Sequence, residues 1–178
     1  MSTVMSAPPE APFRVADRPV TVAGRALGDR TGPVLVALDD DGNPGALLRH
    51  GWSIAVALGV PLRATYVWSD CRPPDCDHHR CCHRDLDGAS RLLTTLIDGN
   101  LSVEAALRVE RDVLHDADPA EALIALSQGA SMLLVGASSH RPTAVALLGE
   151  TTRMLLGRTW CPLIVVPHRR LSATCLSW

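Results

Sequence analysis

Short apolar runs alternate with stretches of helical period through most of the chain, and this alternation is what most narrows the fold. PVLVALD (33–39) places five apolar residues in a row between a proline and a polar turn. LRATYVW (62–68), SMLLVG (131–136) and the run 161–166 are of the same kind. A strand that is apolar on successive residues must be covered on both faces, which is the condition of a parallel sheet. Between these runs, Ala46, Leu47, His50, Ile54, Ala55 and Leu58 recur at helical spacing, with Gly59 just past the end. Leu86–Ile97 repeats the pattern through Leu92, Leu93 and Leu96. Asp118-Pro119 opens a further helix, the aspartate as cap and the proline at the first helical position. A last helix runs through Met154–Leu156 and ends near Gly157. Val103–Val113 is ambiguous, its Val/Leu content with interleaved charges placing a third strand late in the segment.

Five strands, each separated from the next by helix, predict an α/β fold with a doubly wound five-stranded parallel sheet and right-handed crossovers. Such sheets bind ligands at the carboxyl ends of their strands, near a switch in strand order. Residues 32–168 carry this pattern as one domain. Residues 1–31, with Pro8, Pro9, Pro12 and Pro19, read as a flexible N-terminal arm in which Val20–Val22 could add an edge strand. Residues 169–178 form a tail. Aromatics are 3% of the chain, so Ala, Val, Leu and Ile must build the core.

The net charge is −2 with signs interspersed, so no basic face points to nucleic acid. No apolar run approaches the roughly 20 residues of a membrane-spanning helix, and MSTVMSAPPEAPF has no apolar signal-peptide core. A cytoplasmic location is therefore expected, where thiols are reduced.

That expectation bears on CRPPDCDHHRCCHR, an insertion over 69–84 with four cysteines and three histidines between Cys71 and His83. Cys71, Cys76, Cys81 and His83 make a closed four-donor set for Zn²⁺, with His78 or Cys82 as substitutes. The missing C-x2-C pair leaves a solvated insertion as the plain alternative. A thiol sensor is the other, with Arg72, Arg80 and Arg84 favouring thiolates and Asp70, Asp75, Asp77 and Asp85 opposing them.

LLVGASSHRPTAVALLGETTRMLLGRTWCPLIVVP (133–167) resembles the universal stress protein family, in which a strand, the pattern G-x2-G-x9-G-[ST], a helix and a final strand follow one another. PVLVALDDDGNPGALLRHGWSIAVALGVPL and DADPAEALIALSQGASMLLVG resemble its opening and central segments, so the likeness spans 33–167. The resemblance implies an ATP site. By position Gly136 matches the first glycine, Gly149 the third, Asp39 the acid after the first strand, and Val67 the end of the second strand beside the base. Thr151 and Thr152 could supply hydroxyls. Two departures disfavour ATP: Ser139 replaces the second glycine, and Glu150 replaces the small hydroxyl residue. A carboxylate about 5 Å from a phosphate costs on the order of 3 kcal/mol at intermediate screening, roughly a hundredfold in affinity. The resemblance also implies a homodimer through the last strand, Leu163–Val166. The resulting expectation is a binding or signalling module with an unidentified protein partner, not an enzyme. A slowly hydrolysing ATP-binding protein is the alternative.

Overall fold

A run of apolar residues on successive positions is stable as a strand only where both sides of the sheet are covered, and β2 (Val34–Ala37) shows how this chain meets that condition. Val34 and Val36 point into one cluster and Leu35 into another. The structure is a computed structural model and describes residues 18–26, 31–39, 43–68, 86–137 and 148–167. Its other elements are β1 (Val20–Val22), α1 (Pro44–Leu58), β3 (Leu62–Trp68), α2 (Leu86–Asp98), α3 (Val103–Leu107), β4 (Glu110–His115), α4 (Pro119–Leu126), β5 (Met132–Ala137), α5 (Glu150–Leu155) and β6 (Leu163–Pro167).

The sheet order is β1-β6-β5-β2-β3-β4. β2 to β6 pair in parallel, as the alternation predicts, and β1 adds a sixth strand antiparallel to β6. The edge strand raised for Val20–Val22 is thus present. On one face, Val34, Val36, Leu134, Ile164 and Val166 cluster with Leu47 and Leu48 of α1 and Leu93 and Ile97 of α2. On the other, Leu35, Leu133, Val135, Leu163 and Val165 cluster with Leu123 and Ile124 of α4 and Leu155 of α5. The alternation of strand side chains therefore fills both layers from the same short runs.

Local signals set the helix ends. Asn43 caps α1 by accepting from the Ala46 N–H at 3.2 Å, and Pro44 occupies the first helical position. Gly59 closes α1 in the left-handed conformation (φ 68°), which costs glycine nothing. Asp118 caps α4 through the N–H groups of Ala120 and Glu121, as its sequence predicts. The ambiguous stretch resolves into two elements: α3, capped by Ser102, and then β4. α3 is hard to read because its buried residues are two alanines, while Val103 and Leu107 are nearly 80% exposed. The far edge, β4, carries the ion pairs Arg63–Glu110 (2.8 Å) and Arg111–Asp98 (3.1 Å), charges that discourage strand addition there.

Candidate functional site

β2 and β5 are neighbours in the sheet, yet their chains leave in opposite directions. β2 continues through α1 to β3 on one side, and β5 continues through α5 to β6 on the other. The two connections part at the carboxyl ends of β2 and β5, the place where sheets of this kind take their ligands.

The backbone of β5 explains what stands on one side of that place. The Leu133 N–H donates to the Pro162 carbonyl at 3.0 Å, so odd-numbered residues of β5 turn their polar groups toward β6. Gly136 therefore faces β2, but the β2–β5 ladder ends at Val36 and Leu134. The Gly136 carbonyl lies beyond the ladder, and the Thr152 hydroxyl donates to it at 3.0 Å. This contact ties the first turn of α5 to the end of β5. It also uses the Thr152 hydroxyl, which the sequence reading held available for a ligand; Thr152 is buried, and its role is to position the turn.

The start of α5 is built from Gly149 as cap residue (φ −59°, ψ 157°), Glu150 at the first helical position, and Thr151. Among the described residues no side chain caps it, so the amides of the first turn remain as donors. Glu150 is exposed and Thr151 half-buried. Neither Gly136 nor Gly149 has a backbone conformation reserved for glycine. A Cβ on Gly136 would meet Leu47 Cδ1 at an ordinary 3.6 Å. Steric exclusion of a side chain at Gly136 is thus not what shapes the end of β5. Asp39 follows β2 and is exposed at the same rim. Val67, near the end of β3, packs against the cluster on the α4 and α5 face. The structure places Gly149, Glu150 and Thr151 at the start of α5, tied to Gly136 at the end of β5 through Thr152, with Asp39 past the end of the neighbouring strand β2 and Val67 on β3, one strand further along. Ser139 lies outside the described residues.

Sequence reasoning singled out no residue at the end of β4, where His115 stacks against Trp68 with ring centroids 4.3 Å apart. The Trp68 carbonyl accepts the Asp116 N–H at 3.0 Å, and Trp68 Nε1 is buried without a partner among the described residues. The parallel register of Trp68 with His115 creates this pair; no sequence spacing announces it. Cys71, Cys76, Cys81 and His83 lie outside the described residues. Among the described residues no group of three or more Cys, His, Asp or Glu side chains could hold a metal ion. Among them, too, no helix is long and apolar enough to cross a membrane.

These features define a doubly wound α/β protein whose topological switch point lies between the carboxyl ends of β2 and β5. The sequence pattern of the universal stress protein family matches residues 31–167, and the chain belongs to that family. Among curated proteins no match was found. Solved structures of the same fold include the universal stress protein UspA from Lactobacillus plantarum, at 17% identity, covering 80% of this chain and 100% of that one with a TM-score of 0.57. A universal stress protein family member from Burkholderia pseudomallei is 20% identical, covering 79% of this chain and 98% of that one with a TM-score of 0.53. The universal stress protein from Archaeoglobus fulgidus in complex with dAMP is 15% identical, covering 75% of this chain and 96% of that one with a TM-score of 0.51.

Proposed function

We propose that this chain is a cytoplasmic binding and signalling module whose switch-point crevice takes an adenine nucleotide weakly, without turnover. The observation that carries the reading is the start of α5. Among the described residues no side chain caps its amides, it is anchored to β5 through Thr152, and it bears a carboxylate at its first position. Amides at a helix start attract a phosphate. Glu150 opposes it, but less than the sequence alone suggests. Because its side chain is exposed, water screens it, and two unit charges about 5 Å apart in water interact by about 1 kcal/mol rather than 3. The penalty falls from roughly a hundredfold to about fivefold.

Calorimetric titration with ATP, AMP and adenosine tests this. Glu150→Ser should raise ATP affinity about fivefold at low salt, with the gain shrinking as salt is added, and leave adenosine unchanged. An equal gain for adenosine, or no gain for ATP, would remove α5 from the site.

The insertion 69–84 begins after Trp68, at the carboxyl end of β3, and its chain re-enters at Leu86, the start of α2. Trp68 ends β3 at the same edge of the sheet as the carboxyl ends of β2 and β5. An ion held by Cys71, Cys76, Cys81 and His83 would shape the surface beside the nucleotide and make partner binding sensitive to metal.

A further inference from the structure

At the edge of the sheet opposite the switch point, a cavity of about 560 Å³ opens where β3 and β4 begin. That is within the size range of small-molecule sites, about 300–1,000 Å³. Its walls come from the last turns of α1, the turn that follows at Gly59, and the chain around Arg108 and Glu110. A Cβ on Gly59 would meet nothing within 4 Å, so the turn into β3 leaves open space rather than packed side chains. Trp52, Val56, Val60 and Leu62 make the walls apolar. Val56 is 60% exposed although it lines a concave surface, so an apolar body seated there would bury it. The charges are uneven. Glu110 is already paired, since Nε and Nη2 of Arg63 both reach the same Glu110 oxygen at 2.8 Å. Among the described residues no carboxylate pairs with Arg108. Its guanidinium stands over Trp52, 5.4 Å from the ring centre. A guanidinium held over a ring keeps N–H groups free at its edge. The negative end of α1 does not offset this charge, because the Ala55 and Val56 carbonyls already accept the N–H groups of Val60 and Gly59 at 3.1 and 3.2 Å.

We propose that this cavity is a ligand site for a small monocarboxylic acid with an apolar body, its carboxylate on Arg108 and its body against Trp52, Val56 and Val60. Charge selects the head group. A carboxylate matches the planar fork of a guanidinium and balances its single positive charge. A phosphate monoester, with about two negative charges, would bring a surplus beside Glu110. An organic cation would compete for the face of Trp52, which Arg108 already occupies. The apolar walls select the rest of the molecule, since a bare anion such as acetate would leave Val56 and Trp52 uncovered. No residue at the ends of β2 or β5 lines the cavity, so the proposal does not depend on nucleotide binding.

The test is calorimetric titration of the full 178-residue chain with octanoate and phenylacetate, each beside its neutral amide. Amide chemical shifts of Gly59, Glu110 and Gly149 are read in parallel. At least one acid should bind, about tenfold or more tightly than its amide, moving Gly59 and Glu110 and leaving Gly149 in place. Arg108→Met, at an exposed position, should bring the acid down to the affinity of its amide. Val56→Asp, also at an exposed position, sets a carboxylate on the wall without touching Arg108 and should weaken the acid more than the amide. Failure of both acids to bind would overturn the proposal. So would equal affinity for acid and amide, or acid binding that survives Arg108→Met unchanged. Binding that moves Gly149 and is displaced by ATP would place the acid at the switch point and overturn it equally.

Discussion

Replacing Thr152 with valine keeps the shape of a β-branched side chain and removes one oxygen. That oxygen donates the 3.0 Å bond to the Gly136 carbonyl at the point where the β2–β5 ladder has already ended. Thr152 is only 4% exposed, so water has little access to replace it. The loss combines a hydrogen bond with a carbonyl stripped of its donor, which costs about 1–3 kcal/mol. For a chain of this size about 2 kcal/mol lowers the melting temperature by roughly 4–8 °C. Urea unfolding followed by tryptophan fluorescence measures it, because Trp68 is buried and unfolding exposes it. Thr152→Ser, which keeps the hydroxyl, should recover most of the loss. Thr151→Val, at the half-buried position next to it, should stay within about 0.5 kcal/mol of wild type. Thr152→Val with wild-type stability would mean that the Gly136 carbonyl does not hold the α5 turn in place, and the account of how the end of β5 is built would fail.

Cys161 is fully buried, and desolvation pushes its thiol up to about 11 from an ordinary 9.0, against a smaller lowering by a backbone hydrogen bond. The folded chain should resist thiol reagents at pH 8 at this residue, and mass mapping after unfolding should show it modified. The unfolded thiol ionises first, so the folded state binds more protons above pH 9. Stability should fall between about pH 9 and pH 11 by up to about 2–3 kcal/mol, with Cys161→Ala removing that component of the slope in urea titrations at stepped pH. Metal analysis of the untagged chain should find about one zinc per chain, lost in Cys76→Ser/Cys81→Ser; equal metal in both proteins would end the zinc reading.

The elements legible in the sequence are those whose cause is local. Val34–Val36 and Leu133–Val135 are apolar on consecutive residues because helices cover both faces of their strands, so the runs themselves announced a parallel sheet. Asp118-Pro119 and Gly59 marked helix ends because caps act within four residues. α3 was obscured where locality fails: its apolar Val103 and Leu107 face outward and its buried side is two alanines. The order of segments around Gly136 and Gly149 was enough to suggest the family, since it reflects chain connectivity. Three properties came only from the tertiary structure, because each joins residues far apart in the chain. Parallel register stacked Trp68 on His115. The end of a ladder turned Thr152 from a candidate ligand into an anchor for Gly136. Val20–Val22 was legible as an edge strand, but its pairing with β6, more than 140 residues away, was not, because open strand groups take whichever strand the fold brings beside them.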